Sequence, residues 1–305
     1  MKTNIKGVGV ALITPFNDNG DVDFEALERL LDRVAAGGAD YLVVLGTTAE
    51  TPTLSAAEKE AVTKFIVSKN GGRMPVVIGI GGNCTAEVVD HIRHFDFTGI
   101  DAVLSVAPYY NKPSQEGIYQ HYKAIAGVSP RPVVMYNIPG RTGVNMTAET
   151  TLRLARECKN IIAVKEASGN LSQMAYILRD RPEGFLVISG DDNLTLPLMA
   201  MGGDGVISVA VNAYPGKFCR MVHLLQQGDT AAAAGLHLEM MEATDALFAE
   251  GNPVGVKAAL AYYGLIRNNL RLPLVRSSAV LNERLKELIG RYDLKYRFIA
   301  GVICT

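Results

Sequence analysis

Short apolar runs alternate with amphipathic stretches along most of the chain. Each run is mostly apolar over its length, which is typical of a strand buried on both faces in a parallel sheet. Eight such runs predict strands at residues 8–14, 41–45, 76–80, 102–107, 133–137, 161–165, 185–189 and 205–209. The stretches between the strands carry apolar residues at helical spacing and predict helices at residues 24–36, 56–68, 86–95, 115–125, 148–156 and 172–178.

Several predicted helices begin next to a residue that commonly caps helix N-termini. The residues standing just before the apolar period are Asp23, Ser55, Thr85, Ser114 and Thr147. Their short oxygen-bearing side chains accept hydrogen bonds from amides that the first helical turn leaves free. Ser55 is followed three positions later by Glu58, which is the spacing of a capping box.

Strands that each precede a helix predict parallel pairing with right-handed crossovers. A closed (β/α)8 barrel (TIM barrel) over residues 1–215 is the simplest architecture that accommodates eight such strand–helix units. The alternative is a doubly wound open sheet. It is less favoured because no GxGxxG follows the first strand, and the glycines at residues 79–82 have the wrong spacing for a dinucleotide site.

Further helical segments follow the eighth strand, at about residues 217–227, 230–249, 253–267 and 279–288. They exceed what a barrel needs, so we predict a C-terminal helical extension over residues 216–305 that packs on the side of the barrel. Residues 295–305 show no cap or clear period, and the sequence offers no prediction for them.

Composition and charge narrow the class of protein. Of 305 residues, 48% are hydrophobic and 20% are charged, which is ordinary for a globular enzyme. The net charge of −1 and the absence of a block of like charges make nucleic acid or an anionic membrane surface an unexpected partner. Four scattered cysteines favour reduced thiols and a cytoplasmic location. The apolar run near the N-terminus breaks at Thr14-Pro15, which favours a first strand over a signal peptide.

Lys165 ends the apolar run of the sixth predicted strand and is followed at once by Glu166. Burial disfavours the ammonium form of a lysine and lowers its pKa. A neutral amine is what a nucleophile needs in order to attack a carbonyl group. The ordinary alternatives are a lysine that reaches solvent or one that pairs with Glu166.

Polar and aromatic residues follow several predicted strands. In barrels of this kind the active site is built at the C-terminal ends of the strands. The segments at those ends are GTTAE (46–50), PYYNKP (108–113), YNIPGRT (136–142), VKEASGN (164–170) and SGDD (189–192). We therefore expect these side chains to share one rim with Lys165.

In this order and spacing, the five segments resemble the pyruvate-dependent aldolase and lyase family typified by dihydrodipicolinate synthase and N-acetylneuraminate lyase. The resemblance extends to about residue 294. The second threonine of GTT and Arg141 resemble the dihydrodipicolinate synthase branch, because sialic acid lyases usually carry Gly-Ser-Thr and lack that arginine.

The resemblance implies catalytic roles for four residues. Lys165 matches the lysine that forms an imine with pyruvate. Tyr136 matches a proton-shuttling tyrosine that is linked through Thr47 to Tyr110, which a neighbouring subunit contributes. A hydroxyl relay fits the chemistry, because each stage of an imine-dependent condensation moves protons.

Four further positions match substrate-binding residues of the family. Thr48, together with Thr47, matches the cradle for the pyruvate carboxylate. Arg141 matches the residue that receives the carboxylate of the second substrate, a role that suits a bidentate guanidinium. Gly190 and Ile207 match backbone positions that line the pocket.

The implied activity is the condensation of pyruvate with aspartate semialdehyde in lysine biosynthesis. It implies no cofactor beyond the covalent pyruvate imine on Lys165, and a homotetramer built as a dimer of tight dimers. One alternative is a sialic acid or keto-deoxy sugar acid lyase of the same family, which Arg141 disfavours. The other is a non-catalytic binding protein that keeps the barrel, which Lys165 and Tyr136 disfavour.

Each matched residue also has an ordinary structural interpretation. Tyr136 suits a core position, Arg141 a surface charge, and Tyr110 an interface aromatic without a catalytic part. Thr47 and Thr48 suit helix caps, although free amides at a helix start also attract anions.

Two other features suggest metals only weakly. His91 and His94 have helical spacing but no third ligand at a strand end. Asp191 and Asp192 more often cap a following helix than bind a metal.

The chain departs from the family pattern at a few positions. Ala49 stands where the family usually has glycine, which matters only if that position needs a positive φ. Ala56 and Lys59 replace histidines found in some lysine-inhibited members. A cationic Lys59 repels a cationic effector, so we expect weak or absent feedback inhibition by lysine.

Overall fold

Eight parallel strands form a closed barrel in the computed structural model, which describes residues 4–300, with side chains for residues 4–292. The strands are β1 Gly7–Ala11, β2 Tyr41–Val44, β3 Val76–Gly79, β4 Ala102–Val106, β5 Val133–Asn137, β6 Ile161–Glu166, β7 Leu186–Ser189 and β8 Gly205–Ser208. Each strand pairs with the next one along the chain, and β8 pairs with β1. The predicted (β/α)8 barrel with further C-terminal helices is confirmed.

Thirteen α-helices surround or follow these strands within the described residues. They are α1 Phe24–Ala36, α2 Ala56–Asn70, α3 Thr85–His94, α4 Gln115–Val128, α5 Pro139–Thr142, α6 Ala148–Glu157, α7 Leu171–Asp180, α8 Thr195–Ala200, α9 Ala210–Ala213, α10 Pro215–Gln226, α11 Thr230–Phe248, α12 Val254–Tyr262 and α13 Ala279–Ala300. The short helices α5, α8 and α9 are too brief to show a helical period in the sequence.

Most of the predicted caps lie where the sequence pattern indicates. The side chains of Asp23, Ser114 and Thr147 each accept a hydrogen bond from an amide in the first turn of their helix. Ser55 and Glu58 form the predicted capping box at the start of α2. The predicted cap at Thr85 is wrong.

Thr85 is the first helical residue of α3, and Cys84 takes the N-cap position without a side-chain hydrogen bond. The hydroxyl of Thr85 lies 2.8 Å from Nδ1 of His121 instead. A partner from a neighbouring helix therefore engages the group that the local pattern assigns to capping.

The first strand ends earlier than its apolar run. The strand ends at Ala11, although the amide of Leu12 still donates to the carbonyl oxygen of Val43 and the side chains of Leu12 and Ile13 stay buried. The amide of Ile13 donates to Oδ1 of Asn212, 3.3 Å away, rather than to a neighbouring strand. The end of this run therefore belongs to the rim of the barrel.

The seam between the first and last strands places two glycines opposite each other. Gly7 pairs with Gly205, which has a φ of +148°. A Cβ atom on Gly205 would lie 2.1 Å from the carbonyl oxygen of Gly7, so a side chain at this point would prevent the strands from pairing.

The helices after β8 pack on one another and on the barrel. Helix α10 contacts β1 and α1, α11 packs on α10, and α12 and α13 both contact α11. The domain boundary between residues 215 and 216 stays a prediction. Within residues 4–300, no helix combines the length and the apolar composition needed to cross a membrane.

The last two predicted helices have different ends in the structure. The helix expected at 253–267 ends at Tyr262, just before Gly264 with its φ of +69°. The helix expected at 279–288 continues to Ala300 and covers part of the segment for which the sequence offers no prediction. Residues 301–305 lie outside the described residues.

Candidate active site

A cavity of about 420 Å³ opens at the end of the barrel where the strands have their C-terminal ends. Six of the eight residues predicted from the sequence line it. They are Thr47, Thr48, Tyr136, Arg141, Lys165 and Gly190. Their elements are far apart in sequence, and the parallel barrel brings them together because all its strands end at this rim.

Lys165 and Tyr136 lie side by side on adjacent strands. Residue 136 of β5 pairs with residue 165 of β6, so both side chains point to the same side of the sheet. The ammonium nitrogen of Lys165 is 4.1 Å from the centre of the Tyr136 ring. Any group bound covalently to that nitrogen lies beside this tyrosine.

The amine of Lys165 is in a dry position. Only 6% of the residue is exposed, and burial lowers its pKa from 10.5 to about 7. The carboxyl group of Asp192 opposes this shift, and the positive charge of Arg141 adds to it. A large fraction of the amine is therefore neutral and nucleophilic near neutral pH.

Glu166 does not pair with Lys165, because successive residues of a strand face opposite sides. Its carboxylate accepts hydrogen bonds from the Asn137 amide group at 3.1 Å, the Gln173 amide group at 2.9 Å and the backbone amide of Ser168 at 2.8 Å. Burial raises the pKa of Glu166 even against these donors. The pairing and solvent-reaching alternatives for Lys165 are thus both wrong.

The hydroxyl of Tyr136 stays protonated at neutral pH. Burial raises its pKa from 10.0 to about 12, although the charge of Arg141 and a hydrogen bond with Thr47 lower it. A protonated phenol with a hydroxyl partner can pass a proton along a chain of hydroxyl groups. The structure thus places the Tyr136 phenol in hydrogen-bond contact with Thr47 at the wall of the cavity.

Thr47 and Thr48 lie in a short turn after β2 and do not cap α2. Residues Thr47–Ala49 form a 3-10 helix whose N-cap is Gly46, and no side chain caps it. The capping alternative is therefore wrong, since Ser55 caps α2. A turn of this kind leaves its first amides without partners inside the turn, and such amides attract anions.

The methyl group of Ala49 causes no backbone strain, because the left-handed conformation falls on the next residue. Glu50 has φ 54° and ψ 35°, whereas Ala49 has no positive φ. The departure from glycine at residue 49 is therefore compatible with this turn.

Gly190 allows the chain after β7 to approach the lysine closely. A Cβ atom there would lie 3.0 Å from Cε of Lys165 and 2.7 Å from Cβ of Ala167. Arg141 lies in α5 with an exposed side chain at the edge of the cavity. The site thus has a buried, narrow end at Lys165 and a cationic mouth.

Tyr110 and Ile207 do not line the cavity of this chain. Tyr110 is 86% exposed and has a φ of +72°, so its side chain projects from the rim into solvent. Ile207 is buried in β8, and Val209, two residues further on, lines the cavity instead. The roles of both residues stay predictions.

Two residues that support the site were given no role in it by the sequence: Asn252, which has no usable signal, and Asp192, which the SGDD segment indicated only as a rim residue. The side-chain amide of Asn252 donates to Oγ1 of Thr48 at 2.9 Å, and Asn252 also lines the cavity. Asp192 is buried, and its Oδ2 accepts from the amides of Val209 and Ala210 at 3.1 and 2.9 Å. Before Pro253, an asparagine predicts only a turn.

The carboxylates and histidines considered for a metal have other partners. Asp191 accepts a hydrogen bond from the amide of Asn193 and so caps a short turn, as expected. His94 lies 3.3 Å from Asp90, and His91 packs on the ring of Phe95. Among the described side chains, no group of three or more His, Cys, Asp or Glu residues is arranged to hold a metal ion.

Comparison with known proteins relates the whole chain to one family. The model of the Dihydrodipicolinate synthetase family matches residues 4–291. A 4-hydroxy-tetrahydrodipicolinate synthase of Parabacteroides distasonis is 56% identical over 292 residues, covering 96% of this chain and 98% of that protein.

Solved structures have the same fold over nearly the whole chain. The dihydrodipicolinate synthase of Aquifex aeolicus has a TM-score of 0.91 at 42% identity, covering 95% of this chain and 99% of that one. The chloride-inhibited dihydrodipicolinate synthase of Acinetobacter baumannii, described in complex with pyruvate, has a TM-score of 0.91 at 38% identity. It covers 94% of this chain and 98% of that one.

Proposed function

This chain belongs to the dihydrodipicolinate synthetase family, as its sequence predicted, and we propose that it condenses pyruvate with L-aspartate 4-semialdehyde to form 4-hydroxy-tetrahydrodipicolinate. Such a reaction serves lysine and diaminopimelate biosynthesis. The observation that carries the proposal is Lys165, a buried amine with a pKa of about 7 that faces a cavity next to Tyr136. The relatives' names support the choice of substrates.

The reaction begins with a covalent bond between enzyme and pyruvate. The lone pair on Nζ of Lys165 attacks the keto carbon of pyruvate, and loss of water gives an iminium ion. The pyruvate carboxylate lies against the amides and hydroxyls of Thr47 and Thr48. This covalent imine is the electron sink, so the proposal includes no resident cofactor.

Carbon–carbon bond formation follows from the acidity that the iminium confers on the pyruvate methyl group. Loss of a methyl proton gives an enamine, which attacks the aldehyde carbon of aspartate semialdehyde. The resulting alkoxide takes up a proton and becomes a hydroxyl group. The amino group of the same molecule then attacks the imine carbon, which closes the ring and releases Lys165 as a free amine.

The proton transfers run through Tyr136 and Thr47, which are hydrogen bonded to each other. Tyr110 from a neighbouring copy of the chain completes the relay. This role fits its exposure of 86%, because in the isolated chain the phenol lies away from its own cavity. The proposal therefore includes an assembly of at least two copies, and a tetramer of two tight dimers.

Arg141 selects the second substrate at the mouth of the cavity. Its guanidinium is exposed there and can bind the carboxylate of aspartate semialdehyde through two parallel hydrogen bonds. A two-substrate assay with each candidate aldehyde tests this choice against a sugar-acid lyase. The cytoplasmic location predicted from cysteine usage belongs to the same proposal.

Reduction with borohydride in the presence of pyruvate tests the proposed chemistry directly. We expect a stable adduct on the peptide that contains Lys165, found by mass spectrometry after digestion. The Lys165→Ala variant should give no adduct while remaining folded. A wild-type enzyme without an adduct at Lys165 would refute the proposed function.

A further inference from the structure

The turn that carries Thr47 and Thr48 is fixed by the C-terminal helices as well as by the barrel. The residue that ends this turn, Glu50, has a side chain with no exposed surface. Its carboxylate forms an ion pair with Lys257 of α12, whose side chain is also fully buried. We refer to Glu50 and Lys257 as the buried pair.

The buried pair is held from several sides. Nζ of Lys257 donates to the carbonyl oxygen of Asn269 at 3.0 Å and lies 4.1 Å from the centre of the Phe16 ring. The other carboxylate oxygen of Glu50 accepts from the amide of Arg271 at 3.0 Å. Each polar atom of the buried pair thus has a hydrogen-bond or ion-pair partner at a fixed position.

A buried ion pair is poor evidence for stability alone. Removing two charges from water is unfavourable, and apolar side chains of similar size often stabilise a fold as well or better. A buried pair does fix geometry, because its hydrogen bonds leave few arrangements open. The part of the backbone that this pair holds in place therefore indicates what the pair is for.

That part is the backbone of the turn beside Lys165. Glu50 has a left-handed conformation, which is uncommon for a residue other than glycine. Its amide donates to the carbonyl oxygen of Thr47 at 3.1 Å, and its carbonyl oxygen accepts from the Thr53 hydroxyl at 2.9 Å. Holding the Glu50 side chain therefore holds the direction of the peptide groups at residues 47–49.

We propose that Lys257 and Glu50 are positioning residues that orient the Thr47 and Thr48 groups for the carboxylate of the keto-acid substrate. The inference rests on the proposed function, because it takes pyruvate as the ligand of that turn. This inference gives the C-terminal helices a role in a site whose lysine and tyrosine come from the barrel. Loss of the pair should weaken pyruvate binding more than it slows the later steps.

The test uses Glu50→Gln, Lys257→Met and the double variant E50Q/K257M. The readouts are the melting temperature, and the pyruvate concentration that gives half-maximal borohydride trapping at Lys165. Each single change strands a buried charge and should lower the melting temperature. The double variant should recover most of that loss, yet still need roughly fivefold or more pyruvate for half-maximal trapping, with kcat at saturating pyruvate little changed.

Lys217→Met provides a matched control in the same extension. Nζ of Lys217 lies 3.1 Å from Oε1 of Glu239, in a largely buried ion pair between α10 and α11. This variant should lose stability without changing the pyruvate concentration for half-maximal trapping.

The outcomes separate this inference from the proposed function. A wild-type enzyme that gives no pyruvate adduct would defeat the function. A wild-type adduct, together with a double variant that recovers both its melting temperature and its normal pyruvate requirement, would overturn the positioning role alone. The positioning role also fails if Lys217→Met changes the pyruvate requirement as much as Lys257→Met does.

Discussion

The chemistry of Lys165 depends on how well its amine is shielded from solvent. A lysine on the outer surface titrates near 10.5, whereas burial brings this one to about 7 with help from the charge of Arg141. The sequence indicated this, since an apolar strand that ends in lysine predicts desolvation of the amine. The size of the effect depends on Asp192 and Arg141, whose positions only the fold determines.

The first prediction concerns the pH dependence of imine formation. The ammonium form has no lone pair, so the trapping rate should rise as pH increases through about 7, where Lys165 loses its proton. It should level off about one unit higher. Borohydride trapping with pyruvate, at evenly spaced pH values on both sides of this midpoint, measures the profile.

A rate that kept rising toward the ordinary lysine pKa would contradict this prediction, because it would mean that the amine is solvated. The stability of the protein at each pH serves as the control, since a partly unfolded enzyme would imitate a loss of nucleophile.

The second prediction concerns Gly190. Its replacement by alanine should nearly abolish the pyruvate adduct, because the new methyl group would press on Cε of Lys165 and Cβ of Ala167. Overpacking of this kind typically costs about 1–3 kcal/mol. Trapping yield and melting temperature are measured together.

Gly127→Ala is the matched control, because a Cβ atom there meets no atom within 4 Å. An adduct yield for Gly190→Ala equal to that of Gly127→Ala would show that the close approach to Lys165 is unimportant.

At the residue scale, the sequence indicated the residues that end an apolar strand or belong to a specific segment. Lys165, Tyr136 and Arg141 are of this kind. Asn252 could not be predicted, because it reaches Thr48 across 204 positions and its neighbours indicate only a turn. Lys257, the partner of Glu50, could not be predicted for the same reason.

At the scale of single elements, the start of α2 shows how a local signal joins a long-range contact. Ser55 and Glu58 form the capping box that the sequence predicts. Arg271, from the segment after α12, adds a charged partner to Glu58 and donates to the carbonyl oxygens of Gly20 and Thr53. Local propensity determines where the helix begins, and the tertiary fold adds its electrostatics.

The third prediction follows from the Glu58 carboxylate, whose pKa Arg271 holds at about 2 instead of 4.5. A lowered carboxyl pKa stabilises the fold above pH 4.5, and that contribution is lost as pH falls toward 2. Glu58→Gln should therefore lower the free energy of unfolding at pH 7 by about 1–2 kcal/mol after allowance for solvent screening. It should also flatten the acid limb of the stability profile.

Urea unfolding at several pH values measures this effect. Glu60→Gln is the control, because the Glu60 side chain is 65% exposed and its surface pair with Lys64 should contribute little. Equal losses for both variants at pH 7 would argue against a special role for Arg271.

The sequence could predict element cores better than element ends. Helix α1 has the expected bounds because Asp23 caps it and its apolar period is clear. The ends of β1 and the start of α3 differ, since Asn212 and His121 take hydrogen bonds that the local pattern assigns elsewhere. The ends of helices and strands depend on tertiary hydrogen-bond partners, which a local sequence pattern does not contain.

At the scale of the whole molecule, the relay role proposed for the exposed phenol of Tyr110 requires a second copy of the chain. The fourth prediction is that Tyr110→Phe loses most of its turnover without loss of stability, because the side chain is 86% exposed. Steady-state kinetics and a melting curve measure both quantities.

Tyr176→Phe, which alters another exposed tyrosine on α7, should keep full turnover. Normal turnover for Tyr110→Phe in an assembled oligomer would rule out the shared relay.

The fifth prediction concerns regulation. Lys59 lines the cavity together with Thr51 and Pro52. Its positive charge should disfavour a cationic effector, so added lysine should inhibit the enzyme weakly or not at all. Titration with lysine during the two-substrate assay measures this, and strong inhibition below millimolar lysine would contradict it.

The glycine seam between Gly7 and Gly205 has a consequence for biosynthesis. Ribosomes extend chains at about 5–20 residues per second, so β1 waits roughly 10–40 s for its last neighbour to emerge. During that interval one edge of an apolar strand lacks its partner, and the turn beside Lys165 still lacks the lysine that will neutralise Glu50. The nascent chain therefore passes through a long stage with an unpaired strand edge that chaperones can bind. The active site is still incomplete during this stage.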